Sequence, residues 1–357
     1  MIKHFPDLIK HRSNKQVTIS ALFISLVLLM GACQSRVDVE IASPAVVIEQ
    51  IPSGFTEAEF NTLSSLVQID DYPLYTMSYQ GDYFSRDENT SLQREDKEPA
   101  WACSLFAAFG DKGEMIYGRN FDWDYSPGLL LFTDPPDGYA SVSMVDMHYL
   151  GYGGELAFGL TDLPLEERTG LLDAPAIPFD GMNEAGLAIG MAAVPPGGME
   201  PDPAKDTIDS LMVIRLILDQ AATVDEAVEI IQRYNIDMGG GPWIHYLIAE
   251  KDGRSVLVEF SGGEIVVIPN QDPWQMATNF LLSEVEEEPE IHCSRYGIIK
   301  TRLSRTEGRI NSHQAIKLLE DVAQPSTQWS ILYLFNKGEI RIVMGGQYNQ
   351  IYKFDIE

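Results

Sequence analysis

The sequence predicts an α+β domain built from two mostly antiparallel sheets packed together, with helices outside. Three observations lead there. Strand-like apolar runs dominate on both sides of a central helical stretch. Helix signals come as a pair near the middle and singly near the end, so strands and helices do not alternate as βαβ units. Tight-turn signals at Asp111-Lys112-Gly113, Asp252-Gly253 and Gly262-Gly263 join neighbouring strand runs.

The elements follow in order. Thr56 and Glu59 form a capping box, with Phe55 and Phe60 placed as a hydrophobic staple and Leu63, Leu66 and Val67 continuing the helix's apolar face. Pro73 to Phe84 reads as a strand, and polar Ser85 to Pro99 as an exposed loop. Strands are expected at Cys103–Phe109 and Glu114–Asn120, then helices at Asp209–Ala222 and Val224–Tyr234, the second opened by Thr223 and Glu226. Further strands are expected at Trp243–Glu250, Ser255–Phe260 and Glu264–Ile268. A helix at His313–Val322 precedes strands near Trp329–Phe335, Glu339–Met344 and Ile351–Phe354.

The N-terminal end reads as an export signal. Lys3, Lys10, Arg12 and Lys15 precede an apolar run from Val17 to Ala32, which is short for a membrane-spanning helix. Leu29-Met30-Gly31-Ala32-Cys33 resembles a bacterial lipobox, with Met30 where leucine is more usual. The expectation is a signal peptide at 1–32 and lipid on Cys33, followed by a tether over 33–54 that holds an exported lipoprotein to the extracytoplasmic side of a membrane. An ordinary secretory signal with an incidental cysteine is the other reading.

The chain of 357 residues carries 25 basic and 53 acidic side chains, net −28. Without residues 1–32, which hold four of the basic residues and Asp7, 21 basic face 52 acidic residues, net −31. Such a surface repels nucleic acid. Cys33, Cys103 and Cys293 are the three cysteines, too few for a disulfide scaffold, although Cys103 and Cys293 could pair. The acidic stretch Ser283–Glu290 reads as a solvated loop, with a calcium site as the alternative.

A nucleophilic cysteine needs a base for its thiol proton. Beyond the signal the histidines are His148, His245, His292 and His313, none in a local signature with Cys103. A histidine meeting it through space stands as one route. The other makes the cysteine a chain terminus, so that its own α-amino group, of pKa about 8, takes the proton. That route needs a cut between Ala102 and Cys103, and the polar stretch upstream gives the preceding piece room to leave.

Cys103-Ser104, followed sixteen residues after the cysteine by Arg119 within Gly118-Arg119-Asn120-Phe121-Asp122-Trp123, resembles the choloylglycine hydrolase and penicillin V acylase group. Asp180-Gly181-Met182-Asn183-Glu184-Ala185-Gly186-Leu187, Thr278-Asn279 and Ser294-Arg295-Tyr296 are similar to later elements of that group, in order. The resemblance runs from about Cys103 to the C-terminus and includes acid ceramidase-like relatives among the N-terminal-nucleophile (Ntn) hydrolases. It implies a four-layer αββα sandwich over 103–357, with 55–102 as a pro-segment or retained small subunit. It implies Cys103 as nucleophile, Asp122 holding the α-amino group, Arg119 lowering the thiol pKa and positioning that carboxylate, Asn279 as oxyanion donor and Arg295 completing the charged network. Asn183 is a secondary candidate. No cofactor or metal is implied.

One position departs from the pattern. Bile-salt hydrolases carry a further oxyanion asparagine where this chain has Ala193. That weakens a bile-salt assignment and leaves amide chemistry intact. The expected reaction is hydrolysis of a small-molecule N-acyl amide through a thioester, with acyl transfer to another amine as the close alternative. A non-catalytic ligand-binding surface lipoprotein is the reading from a different class. The membrane is the expected partner through Cys33, and a homo-oligomer is compatible with the sequence.

Overall fold

The computed structural model describes residues 37–40, 51–84, 102–239, 241–286 and 288–356. Two sheets dominate. The seven-stranded sheet contains β1 (Val37–Glu40), β4 (Ser104–Ala108), β5 (Ile116–Asp122), β15 (Trp274–Ala277), β16 (Thr327–Leu334), β17 (Glu339–Met344) and β18 (Gln350–Asp355), in the order β1-β18-β17-β16-β5-β4-β15. The nine-stranded sheet contains β2 (Val67–Asp70), β3 (Leu74–Ser78), β6 (Gly128–Thr133), β7 (Ser141–Asp146), β8 (Pro178–Asn183), β9 (Leu187–Val194), β12 (Trp243–Glu250), β13 (Ser255–Ser261) and β14 (Glu264–Pro269), in the order β14-β13-β12-β9-β8-β7-β6-β3-β2. Pairing is antiparallel except β1 on β18 and β3 on β6. A small parallel ribbon joins β10 (Thr207–Asp209) and β11 (Asn235–Asp237).

The layers follow from which faces are apolar. Along β4, Leu105 and Ala107 join the core between the sheets, while Phe106 and Ala108 pack outward. The outward side chains meet α4 (Ser294–Thr306) and α5 (Ser312–Val322) through Ile299, Leu303, Ile316 and Leu319. On the opposite side α2 (Met212–Gln220) and α3 (Val224–Arg233) cover the nine-stranded sheet. A strand buried on both faces reads as a continuous apolar run, because period-two alternation has no polar side to show. Helix, sheet, sheet, helix is therefore the αββα sandwich expected from the resemblance.

Local signals set several boundaries. The capping box at Thr56 and Glu59 opens α1 (Glu57–Ser64) with both reciprocal bonds made. Asp111 Oδ1 accepts from the Gly113 N–H at 2.9 Å and turns β4 into β5. Other boundaries differ from the sequence reading. Val67, expected on the helix, begins β2, because the helix stops at Ser64 and the chain turns to pair with β3. The strand expected to reach Phe84 ends at Ser78, one residue before the last ladder bond from the Tyr79 N–H to Phe132 O. Asp209 lies in β10 and not in a helix, its carboxylate accepting from the Leu211 N–H at 2.7 Å. Helix α4 and the 3-10 turns between Met147 and Ala176 were not anticipated. The stretch 85–99 and Cys33 lie outside the described residues. Among the described residues no helix is long and apolar enough to cross a membrane.

The upstream piece, residues 51–84, is built into the same core. β3 pairs with β6 over Leu74 to Ser78, and Leu63, Leu74, Tyr75 and Met77 are buried there. Tyr83 donates to Asp219 Oδ2 at 2.7 Å at the end of α2.

Candidate active site

Cys103 sits immediately before β4 and is 3 % exposed. The β4–β5 ladder sets Ser104 opposite Asn120 and Leu105 opposite Arg119, which brings the cysteine beside the end of β5. Gly118 is required here: a Cβ would come within 2.5 Å of the Phe106 ring that packs across it. Arg119 is fully buried, and its Nη2 lies 4.0 Å from Cys103 Sγ and 3.7 Å from Met191 Sδ. Burial pushes the thiol above its usual range, against the pull of Arg119 and, more weakly, of Arg295.

The expected pairing of Arg119 with Asp122 is not formed. Residues three apart on a strand point to opposite faces, so one register step of β5 separates their environments. Arg119 turns into the space between the sheets, where Nη1 makes a buried ion pair with Asp180 Oδ2 and donates to Phe179 O at 3.1 Å. Asp180 also accepts from Tyr333 Oη at 2.5 Å and Trp329 Nε1 at 3.4 Å. Burial works hardest against the guanidinium charge, but Asp180, Cys103 and Tyr117 together hold the Arg119 pKa above its ordinary value. Gly190 leaves space for this network, since a Cβ there would stand 2.8 Å from Tyr117 Oη and 3.2 Å from Asp180 Cβ. Asp180 is thus a site residue that the sequence reading quoted only within a motif. Its partner is 61 positions away on the other sheet, and no local signal announces it.

Asp122 faces the opposite side of β5. Its Oδ1 accepts from Thr327 Oγ1, and its buried Oδ2 has no hydrogen-bond partner. Burial raises its pKa to about 6, although Thr327, Arg295 and Arg119 oppose the rise. A buried carboxylate oxygen without a partner is uncommon and calls for an explanation.

Arg295, in the first turn of α4, gathers the rest. Its Nη1 donates to Ala102 O at 2.8 Å, to Cys103 O and to Ser104 Oγ at 2.8 Å, and its Nη2 donates to Asn279 Oδ1 at 2.9 Å. Asn279 Nδ2 donates to Ala193 O at 2.8 Å, leaving its second N–H available. The structure therefore brings together Ala102, Cys103, Arg119, Asp122, Asn279 and Arg295. It does not bring Asn183 there. Asn183 Nδ2 donates to Leu218 O and Ala221 O at the end of α2, and Oδ1 accepts from Leu187 N–H, so this residue ties a turn to a helix end.

Cys103 opens onto a narrow cavity of about 60 Å³. Phe121, Trp123, Tyr149, Phe179, Met191 and Ile244 form much of its wall, and no charged side chain lines it. Met191 and Ala193 reach this cavity, whereas Leu129–Leu131 are core. Among the described residues no histidine bonds Cys103 or lines the cavity: His245 pairs with Glu259, and His292 packs on Phe280. Cys103 and Cys293 are both free, so the pairing left open from sequence is absent. Among the described residues no group of three or more His, Cys, Asp or Glu could hold a metal ion.

Residues 178–346 match the family model of acyl-coenzyme A:6-aminopenicillanic acid acyl-transferase, a span that holds Asp180, Asn279 and Arg295 and begins beyond Cys103. Two crystal structures of variants of the conjugated bile acid hydrolase from Clostridium perfringens are similar in fold. One has a TM-score of 0.51 at 16 % identity, the other 0.52 at 17 %, and each alignment covers 71 % of this chain and 92 % of that one. Over residues 178–346 the chain thus resembles that acyl-transferase model, and its sandwich fold is shared with the conjugated bile acid hydrolase.

Proposed function

We propose that the chain hydrolyses a linear N-acyl amide through a thioester on Cys103, after cleavage of the Ala102–Cys103 bond makes that cysteine a chain terminus. The observation that carries this reading is the set of groups around one peptide bond. Cys103 Sγ stands beside the Arg119 guanidinium, Arg295 holds the Ala102 carbonyl, and the buried Asp122 Oδ2 has no donor.

Each group has a task. For processing, the sulfur attacks the Ala102 carbonyl carbon, Arg295 Nη1 stabilises the oxyanion, the C–N bond breaks to leave an ester on sulfur, and water hydrolyses it. The new α-ammonium fills the place beside Asp122 Oδ2. In turnover the deprotonated amine takes the thiol proton, the thiolate attacks the substrate carbonyl, and the free N–H of Asn279 meets the oxyanion. The amine product leaves with that proton, and water releases the acid from the thioester. The uncharged cavity suits the acyl portion. Ala193, in place of a second side-chain donor, argues against bile conjugates.

Acyl transfer uses the same thioester with an amine in place of water, and the family model matched over 178–346 carries an acyltransferase name. Competition between water and an added amine, read by product analysis, separates the two. The β3–β6 pairing and the Tyr83–Asp219 bond support retention of the upstream piece after cleavage.

Intact mass under denaturing conditions tests the proposal. The expected result is two fragments meeting at Ala102/Cys103, with Cys103→Ala uncut and inactive. An active, uncut chain overturns it. We infer export and lipidation at Cys33 from the N-terminal sequence. Palmitate labelling should be lost in Cys33→Ser, and unchanged labelling would refute this.

A further inference from the structure

The loop after β15 carries Asn279, partly buried at the end of the seven-stranded sheet. Its side chain is held at both ends, by Arg295 and by the Ala193 carbonyl. The backbone three and four residues on is held differently. The N–H groups of Leu282 and Ser283 donate to Glu259 Oε1 and Oε2, each at 2.8 Å. Glu259 lies on β13 and is fully buried. His245, one step beyond the Tyr246–Val258 pair of the β12–β13 ladder, places its Nδ1 3.2 Å from Glu259 Oε1.

A buried carboxylate is costly unless its oxygens are bonded. Ordinary core packing of this loop would not need one. Two consecutive backbone donors, one to each oxygen, fix both the height and the rotation of the loop, a constraint that apolar contacts do not impose. The partners also cross between sheets: the loop leaves one sheet, while Ala193 and Glu259 belong to the other. We propose that Glu259, supported by His245, is a positioning residue that holds the 278–283 loop so that Asn279 meets the oxyanion. The proposal rests on Asn279 being that donor.

Oxyanion donors act only within a few tenths of an ångström of their target, and a displacement of about 1 Å can cost about 100-fold in rate. The test compares Glu259→Gln, His245→Phe, His245→Gln and Asn279→Ala in the processed full-length protein. Three readouts are used: kcat and KM on N-acyl p-nitroanilides, the rate at which iodoacetamide alkylates Cys103, and amide hydrogen exchange over residues 279–284. Alkylation passes through no oxyanion and therefore reports the nucleophile alone. Glu259→Gln should lower kcat by about 10- to 100-fold, change KM less than about threefold, raise exchange in the loop and leave alkylation unchanged.

Should Glu259→Gln not fold, His245→Phe should show the same split at smaller amplitude, and His245→Gln, whose amide still donates, should retain most of the rate. Unchanged kcat or unchanged loop exchange in these Glu259 and His245 variants, with Asn279→Ala impaired, overturns the positioning role. Alkylation falling in step with kcat overturns it too, because the damage then reaches the nucleophile. Full activity in Asn279→Ala removes the underlying oxyanion assignment instead.

Discussion

Asp180→Asn isolates the charge that the fold spends on Arg119. In the native molecule both partners of this ion pair are fully buried, and Arg119 Nε already has no partner. The variant keeps the shape but leaves a guanidinium in the core with the Phe179 carbonyl and a neutral amide oxygen. Tyr333 Oη and Trp329 Nε1 lose a charged acceptor at the same time. Removing one member of a buried ion pair costs about 3–5 kcal/mol, far more than a surface pair would. Urea denaturation of the uncut Cys103→Ala chain, with and without Asp180→Asn, measures that loss free of processing.

The second readout has the opposite sign. Arg119 opposes the burial that raises the Cys103 thiol pKa. An uncompensated Arg119 favours the thiolate further, so iodoacetamide should alkylate Cys103 at lower pH in a folded Asp180→Asn variant that retains the cysteine. Tyr333→Phe serves as a milder companion and should cost about 1.5–3 kcal/mol, the worth of a hydrogen bond to a charged group. A stability change below about 1 kcal/mol together with an unmoved alkylation profile would show that Asp180 does not balance a charged Arg119.

Other outcomes follow from groups outside that pair. Asn183→Ala strips donors from two buried carbonyls and an acceptor from the Leu187 N–H; a loss of about 2–4 kcal/mol in urea, with kcat of the folded enzyme within about twofold, is expected, and a collapse of kcat alone would return Asn183 to the site. Asp146, buried at the end of β7, has its pKa raised by burial from 3.8 to about 7. A raised folded pKa means stability present below about pH 4 and lost as pH rises through 7, about 2–3 kcal/mol of it between pH 5 and 8. Asp146→Asn keeps the Oδ1 acceptor for the His148 N–H and should be stabilised relative to the parent at pH 8 more than at pH 5 by that amount. Equal urea midpoint differences at the two values would refute the assignment.

Much of this was legible in the chain itself where the physics is local. The capping box at Thr56 and the turn at Asp111 fall where residue types alone put them, because each rests on contacts within a few positions. Helix α4 was hidden because Arg295, Lys300, Arg302 and Arg305 dilute its apolar face to Tyr296, Ile299 and Leu303. The 3-10 turns hold Pro164 and Pro175 and show no periodic face. At the site, the cluster was visible through motif spacing. The partner of Arg119 was not, because strand alternation assigns Arg119 and Asp122 to opposite faces and only the packing of two sheets brings Asp180 within reach.

If the proposed cut before Cys103 is made, the parallel pairing of β3 on β6 gains a thermodynamic consequence. Before cleavage, folding is unimolecular and every strand is tethered to its neighbour's chain. Afterwards the edge of the nine-stranded sheet belongs to a separate polypeptide, and re-forming it becomes a second-order event whose free energy depends on concentration. A protein so cleaved would persist by the height of its unfolding barrier more than by any reversible equilibrium.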